Sequence, residues 1–480
     1  MKDRKKRQRQ GDPSGRESPD PRGRFRDIAR THDTLILFVL IFVVYNTVTS
    51  INWSGDVVPA MFLPMAILLH HTVSFDALGI PGISDPSLAY AFPVVNGYHY
   101  SWFPIVTPVL STPLYALSYA LALLTGSPVN ITYLIPLAKT VAAIIAALSC
   151  VFVYLAAKDL FSRNAALATT LVYAFATSTW SVSSQAPWQH GTVELLLSMM
   201  IWLVIGNERI PSRRNIVLLG ILAGLFVFNR PPEAMLLIPL AGYVIWYERK
   251  NLPLFGTAAA AAGLPFLLYN FLIFGSVLGG YQGNLPVFSF GIASLANFAG
   301  LLIAPNVGLF IYSPVLVLSV LGYVNLNSIA PGRIRQLLVA FGPAIVLEIF
   351  VYCFFSGWDA SVAYSYGQRY LTGFLPVLAI YLGIVISSLG PAERPDMRVQ
   401  ALRTAFVVLV VLSVAIQAIG VFLYPFNPDR GSGPEKTWDW TRPLIIESFT
   451  YGISRISEIT VYSFPPLPPL FHYTFSPPGK

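Results

Sequence analysis

The sequence has few charged residues. They make up 11% of the 480 residues, whereas hydrophobic residues make up 55% and include 32 Phe. A chain of this composition cannot bury its apolar surface in a water-soluble core, which excludes an ordinary soluble enzyme. The composition therefore predicts an all-α, polytopic integral membrane protein.

Cysteine is almost absent, since Cys150 and Cys353 are the only two and both lie inside apolar runs. This excludes a disulfide framework and a cysteine-based metal site. Lone histidines such as His99 and His190 lack metal-ligand spacing, and no phosphate-binding glycine loop follows a predicted strand. We therefore predict no metal and no other cofactor, and no need for a bound nucleotide.

Positive charge is missing from residues 53–104, which follow the first apolar run and open with Gly55-Asp56. Residues 1–30, in contrast, contain eleven Lys/Arg and five Asp/Glu. We predict that residues 1–33 form a disordered basic arm on the cytoplasmic side. An anionic lipid surface is its expected partner, and nucleic acid is not.

Eleven apolar runs are long enough to cross roughly 30 Å of hydrocarbon. A further run, 105–125, is interrupted by prolines. Counting it as a crossing would place the basic short loops outside, against the positive-inside rule, so we interpret it as interfacial or re-entrant. The predicted crossings are residues 34–52, 136–157, 165–181, 191–206, 216–230, 232–247, 253–274, 308–325, 336–355, 371–388 and 403–423.

With this topology 23 of the 31 Lys/Arg lie on the cytoplasmic side. The chain then divides into a transmembrane domain at 34–423, with a large outer loop at 53–135, and a Pro- and aromatic-rich extracytoplasmic tail at 424–480. The apolar, proline-broken segment 57–72 is predicted to be a juxtamembrane helix.

Three membrane-proximal cations remain on the outer side, namely Lys139, Arg230 and Arg369. Most polar and aromatic residues near the membrane also fall on that side. This asymmetry indicates chemistry at the outer face. The candidates for contacts with a sugar or acceptor are His99, Trp102, His190, Trp358, Asp359, Tyr366 and Gln368.

Sugar transfer from a lipid phosphate would use such residues. A carboxylate base must take a proton from the acceptor hydroxyl, and fixed cations must hold the phosphate as its charge grows. Asp56 is the candidate base, and Arg369, Lys139 and Arg230 are the candidates for phosphate binding. The seven polar and aromatic residues above would shape the sugar site.

Each assignment has a structural alternative. Asp56 suits a helix N-cap, Arg369 stands where arginine often reaches lipid phosphates, and Arg230 has an ion-pair partner in Glu233. The aromatic residues fit an interfacial belt. At the level of the whole protein, a flippase or transporter of lipid-linked saccharides and a polysaccharide polymerase or ligase are the alternatives.

Three segments resemble sequences of the GT-C glycosyltransferases, which are membrane enzymes that use polyprenyl-phosphate sugars. The resemblance is greatest to the protein O-mannosyltransferase and aminoarabinose transferase branch. The three segments are NWSGDVVP around Asp56, LIPLAKTVAAIIAAL around Lys139 and GWDASVAYSYGQRYLTGFLPVL around Arg369. The O-mannosyltransferases carry an Asp-Glu pair where this chain has Asp56-Val57. The resemblance covers about residues 34–390.

The resemblance implies a GT-C-like membrane fold, a catalytic base at Asp56 and a phosphate contact at Lys139. It also implies inverting transfer at the extracytoplasmic face. The expected partners are a polyprenyl-phosphate-linked sugar, membrane lipids and an acceptor hydroxyl on a glycan, lipid or protein. We therefore expect Asp56, Lys139 and Arg369 to lie around one cavity.

Overall fold

The computed structural model describes residues 21–48, 55–80, 83, 89–126, 131–288, 290–328, 332–359, 365–390, 396–424 and 433–454. Residues 1–20 of the predicted arm and 455–480 of the predicted tail lie outside these ranges. All structural statements below refer to the described residues.

The described chain is almost entirely helical, which confirms the predicted class. Its first nine helices are α1 Pro21–Tyr45, α2 Val58–His70, α3 Val106–Thr125, α4 Ile131–Leu160, α5 Arg163–Phe175, α6 Gln189–Arg209, α7 Arg213–Asn229, α8 Leu237–Tyr247 and α9 Leu252–Phe274. The next eight are α10 Leu295–Ile303, α11 Leu309–Tyr312, α12 Val317–Val324, α13 Gly332–Cys353, α14 Leu375–Ser388, α15 Met397–Phe422, α16 Pro434–Thr437 and α17 Leu444–Ser454.

Helix α1 begins earlier than the apolar run that predicts it. Its first residue is Pro21, so residues 21–33 are helical, although the sequence analysis assigned them to a disordered arm. Arginine favours helix, and a proline at the first helical position leaves no hydrogen bond unmade. The backbone can therefore continue as a helix beyond the apolar segment.

Six helices are long and apolar enough to cross a membrane, among the residues that can be described. Several of the eleven predicted crossings are shorter or broken. The predicted crossing at 308–325, for example, divides at Ser313-Pro314 because proline lacks the N–H that would continue the helix. The six are Val106–Thr125, Tyr133–Leu160, Gln189–Arg209, Arg249–Phe274, Gly332–Cys353 and Met397–Phe422.

The helix bundle has two chemically different ends. At one end Asp33 of α1 accepts hydrogen bonds from Lys158 and Arg163, at 3.1 and 2.6 Å. At the other end Lys139 of α4 donates to the carbonyl of Tyr45 at 2.7 Å. Helix α4 therefore runs antiparallel to α1. The end that contains Asp33 is called here the basic end. It also includes the pairs Arg209–Asp159 and Arg333–Glu208.

Helix α3 keeps to the other end of the bundle, although its length and composition would allow it to cross. Thr107 near its start donates hydrogen bonds to Thr192 and Asn229, at 2.9 and 2.7 Å. Ser118, further along α3, shares a hydrogen bond with Tyr133 in the first turn of α4. The interfacial or re-entrant placement of this segment stays a prediction.

A small folded unit fills the middle of the 53–135 loop. Strands β1 Val94–Val95 and β2 Tyr98–His99 pair antiparallel, with Val94 opposite His99. Asn96 and Gly97 connect them with positive φ of 53° and 84°, as a two-residue hairpin turn requires. Helix α2 packs on α3, and Tyr115 donates to the carbonyl of Met61 at 3.0 Å. This packing holds the start of the loop against the bundle.

Candidate active site

Asp56 and Arg369 form an ion pair, with Oδ2 of Asp56 2.9 Å from Nη2 of Arg369. Asp56 lies just before α2, and Arg369 begins a 3₁₀ turn, Arg369–Leu371, that leads into α14. The side chain of Arg369 is 5% exposed and that of Asp56 is 24% exposed. The carboxylate therefore stays accessible while the guanidinium lies inside the protein.

Arg369 has further donors that the protein leaves open. Its Nη2 also donates to the Tyr370 hydroxyl at 3.0 Å, and its guanidinium lies 4.8 Å from the ring centre of Trp188. Its Nε and Nη1 have no hydrogen-bond partner among the described residues. Burial opposes its charge, but Tyr370 and Asp56 together raise the pKa of Arg369 above its ordinary value.

Other buried polar groups around Arg369 are also unpaired. His190 lies between Trp188 and Tyr370, with ring centres 6.0 and 6.3 Å away. Within the described chain, neither ring nitrogen of His190 has a hydrogen-bond partner, and neither does Nε1 of Trp188 or Nε2 of Gln368. Unpaired buried polar atoms are costly, and such a concentration of them is typical of a ligand site.

Arg230 also lies near the Tyr370 ring, 5.7 Å from its centre. Its Nε donates to Oε1 of Glu233 at 2.9 Å, and its Nη2 donates to the Tyr352 hydroxyl at 2.8 Å. The structure therefore contains the local ion pair that the sequence allowed as the alternative to phosphate binding. Arg230 remains close to the cluster, but its charge is already balanced.

The start of α6 is fixed by neighbouring polar contacts. Asn229, at the end of α7, donates to the carbonyl of Gln189 at 2.9 Å. The Gln189 side chain accepts from the hydroxyl of Tyr281 at 2.8 Å, and burial raises the pKa of Tyr281 to about 12. These contacts place His190 in the first turn of α6, facing Tyr370.

Lys139 does not belong to this cluster in the structure. Its ammonium donates to the backbone carbonyls of Tyr45 and Ser184, both at 2.7 Å. A buried ammonium needs such acceptors, and these two join the end of α1 to the π-helix Thr179–Ser183. These two bonds give Lys139 a structural role, and its contact with donor phosphate stays a prediction.

His99 and Trp102, which are predicted to contact the sugar or acceptor, both have partners within the protein. Nδ1 of His99 lies 2.7 Å from Oδ1 of Asp76. Burial opposes ionisation of Asp76, but the hydrogen bonds to His99 lower its pKa below the ordinary value. The Trp102 ring packs on Gly283, where no β-carbon would fit. Both residues thus have contacts that stabilise the loop.

Trp358 and Tyr366 are buried in apolar packing instead of offering a ring face to a sugar. Trp358 lies against Gly300 of α10, with no room for a β-carbon there. Tyr366 is fully buried, and its hydroxyl donates to the carbonyl of Ile416 at 2.9 Å. Asp359 is also buried, which raises its pKa. The role of these three residues in a sugar site stays a prediction, and their burial favours structural packing.

Sequence reasoning missed several residues of the cluster. Tyr370 contacts both arginines, but a tyrosine at the start of an apolar run looks like an ordinary interfacial residue. Glu348 lies alone in the apolar helix α13, a position that by itself signals function. Trp188 lies against Arg369, but its sequence context is the same as that of other aromatic residues near the membrane.

No three His, Cys, Asp or Glu side chains come together as metal ligands in the part of the chain that the structure describes. The cluster around Arg369 offers carboxylate, guanidinium, imidazole and amide groups.

The fold is similar to that of solved glycosyltransferases. The ArnT structure from Cupriavidus metallidurans bound to undecaprenyl phosphate matches with a TM-score of 0.50 and 11% identity, over 88% of this chain and 74% of that chain. Its apo form matches with a TM-score of 0.47 and 13% identity, over 90% and 75%. The Archaeoglobus fulgidus oligosaccharyltransferase in complex with Zn and sulfate gives 0.45 and 15%, over 92% and 59%.

The sequence comparison points to the same class. The model of the dolichyl-phosphate-mannose-protein mannosyltransferase family matches residues 137–274. No curated protein matches the chain. The chain is thus an integral membrane protein with a fold like that of ArnT, and its residues 137–274 are similar to the mannosyltransferase family.

Proposed function

We propose that the protein transfers one sugar from a polyprenyl phosphate to an acceptor hydroxyl at the extracytoplasmic face, with inversion at the anomeric carbon. The observation that carries this proposal is the Asp56–Arg369 ion pair beside unpaired buried N–H groups. A carboxylate next to an incompletely bonded guanidinium can serve both the acceptor and the phosphate.

In the proposed step, the acceptor oxygen forms a bond to the anomeric carbon while the bond from that carbon to the phosphate oxygen breaks. Asp56 takes the hydroxyl proton. The polyprenyl phosphate leaves with one more negative charge, which the open Nε and Nη1 of Arg369 are placed to stabilise. His190 and Gln368 have unpaired nitrogens for the sugar hydroxyls or the phosphate.

The distribution of charge supports the proposed orientation. Lys158, Arg163 and Arg209 lie at the basic end, whereas Asp56 and Arg369 lie at the opposite end of the bundle. Because basic residues favour the cytoplasmic side, the cluster would face outward.

A transfer assay with purified protein in liposomes tests this function. We expect labelled sugar to move from polyprenyl phosphate to a supplied acceptor, with polyprenyl phosphate released in equal amount and an inverted anomeric configuration in the product. Movement of intact labelled lipid across the bilayer without sugar consumption would contradict the proposal. Retention of configuration would contradict only the single-displacement step.

A further inference from the structure

Asp56 has a second polar neighbour on its other carboxylate oxygen. The hydroxyl of Tyr90 donates to Oδ1 of Asp56 at 3.3 Å, whereas Oδ2 pairs with Arg369. The terminal torsion of an aspartate side chain is broad when nothing restricts it. A contact on each oxygen therefore fixes the direction in which the carboxylate points.

The contact between Tyr90 and Asp56 requires a glycine at position 55. A β-carbon at Gly55 would overlap the Tyr90 hydroxyl and would lie 2.9 Å from Cε1 of the same ring. The phenol thus passes directly over the backbone of Gly55 to reach the next residue, Asp56. This close approach gives a physical reason for the Gly55-Asp56 sequence at the start of the outer loop.

Tyr90 is about half-exposed, but its surroundings are ordered. Its ring packs edge-on against Phe103 with 6.3 Å between the centres, and Phe103 packs edge-on against Tyr281 at 6.4 Å. The residue after Tyr90 is Ala91, which is buried, and its carbonyl accepts from the N–H of Trp102 at 3.1 Å. The folded unit of the outer loop therefore holds Tyr90 next to the carboxylate.

We propose that Tyr90 is a positioning residue that acts through Asp56, holding Oδ1 toward the side from which the acceptor hydroxyl approaches. Arg369 is 5% exposed and Tyr90 is 48% exposed, so the Tyr90 side of the carboxylate is the side nearer to solvent. A carboxylate oxygen can accept more than one hydrogen bond, so the phenol and the acceptor can bind Oδ1 together. This inference rests on the role of Asp56 as the base in the proposed function.

Tyr90→Phe in the liposome transfer assay removes the hydrogen bond and keeps the ring. We expect kcat to fall about fivefold with donor KM unchanged, because the carboxylate is less well directed. Tyr98→Phe is the matched control, since Tyr98 is 54% exposed in the same loop, and it should leave kcat unchanged. Equal kcat values for Tyr90→Phe and Tyr98→Phe would overturn the proposal.

A double variant separates positioning from a general structural effect. In protein that carries Asp56→Asn there is no base to direct, so adding Tyr90→Phe should not lower the residual rate further. A fivefold loss in that background as well would show that Tyr90 does not act through Asp56.

Gly55→Ala reaches the same contact from the backbone side. The new methyl group must push the phenol away, so we expect a loss of kcat close to that of Tyr90→Phe. Adding Tyr90→Phe to Gly55→Ala should cause no further loss, because the hydrogen bond is already broken. Losses that multiply in the double variant would contradict the role of Gly55 in this contact.

The contact can also be measured without any transfer. We would place 3-fluorotyrosine at position 90 of the full-length protein in detergent micelles and record its ¹⁹F resonance, which responds to hydrogen bonding of the hydroxyl. We expect Asp56→Ala to shift this resonance by more than its linewidth, whereas the same probe at position 98 should not respond. An unchanged resonance at position 90 would overturn the proposal. A shift in protein that transfers no sugar would instead contradict the proposed function, and with it the role of Tyr90, while the contact would stand.

Discussion

One nitrogen of Arg369, Nη2, contacts both Asp56 and Tyr370, at 2.9 and 3.0 Å, whereas Nε and Nη1 remain open. The guanidinium can therefore hold the proposed base on one side and a phosphate on the other without giving up either contact. Because the guanidinium is planar and rigid, it fixes the distance between base and phosphate. Such fixed distances between reacting groups lower a transfer barrier.

Replacing Asp56 by Asn tests the base directly. The amide cannot accept the hydroxyl proton at neutral pH, so we expect kcat to fall about 10²- to 10⁴-fold, the usual contribution of general-base catalysis. Undecaprenyl phosphate binding should persist, because Arg369 loses a competing anion.

Asp76→Asn is the matched control, since Asp76 lies in the same loop and pairs with His99 at 2.7 Å. It should retain most of the transfer activity. Near-normal transfer by correctly folded Asp56→Asn would disprove the role of Asp56 as the base.

Arg369→Lys separates charge from geometry. Lysine keeps the positive charge but is a single point donor that cannot reach Asp56, Tyr370 and a phosphate together. We expect donor KM to rise and kcat to fall, so that kcat/KM decreases at least about 100-fold. Breaking the contacts of a buried charge costs on the order of 3 kcal/mol, which corresponds to a decrease of this size.

Arg403→Lys provides the comparison for Arg369→Lys. Arg403 donates to the carbonyl of Leu389 at 3.1 Å, outside the cluster. Its substitution should leave donor KM unchanged. Equal kinetic effects of the two variants would argue against a specific phosphate contact at Arg369.

Tyr366→Phe distinguishes packing from sugar binding. The substitution removes the hydrogen bond to Ile416, so the free energy of unfolding should fall by about 1 kcal/mol. Transfer per folded molecule should not change, because the ring stays in its apolar site. Thermal unfolding and initial rates on the same preparation measure both effects. A large rise in KM at unchanged stability would instead support the predicted contact of Tyr366 with the sugar.

Much of the fold and the central pair could be predicted from sequence, because both depend on coarse signals. Apolar runs reveal helices, and Arg369 stands out as a lone cation in an aromatic loop. The roles of Trp358 and Tyr366 could not be predicted, because an aromatic side chain beside the membrane has the same sequence signature whether it packs inward or faces a ligand. Their burial depends on Gly300, Ile416 and other distant residues.

Lys139 and Glu348 show the same limit for charged residues. The sequence marks both as ionisable groups in apolar helices, but only the structure pairs Lys139 with backbone carbonyls and shows Glu348 fully buried. Hydrophobic periodicity identifies the helix but gives no information about which residues of other helices a side chain meets. The partners decide whether the charge is structural or functional.

Gly373→Ala tests whether the position of Glu233 matters for the cluster. A β-carbon at Gly373 would collide with Oε2 of Glu233 and lie 3.0 Å from Cγ1 of Val193. The carboxyl group must then move, which disturbs its contacts with Arg230 and Tyr352. We expect donor KM to rise several-fold, on the scale of the roughly 1 kcal/mol that one charge-assisted hydrogen bond contributes.

Gly256→Ala is the matched control for this steric effect. Gly256 lies in α9 with open space around it, so alanine should leave activity unchanged and raise helix stability slightly. If Gly373→Ala leaves donor KM unchanged while Gly256→Ala behaves as expected, Glu233 can shift without consequence. The Arg230–Glu233 ion pair would then have no effect on donor binding. A selective rise in donor KM would instead connect this ion pair to the phosphate site.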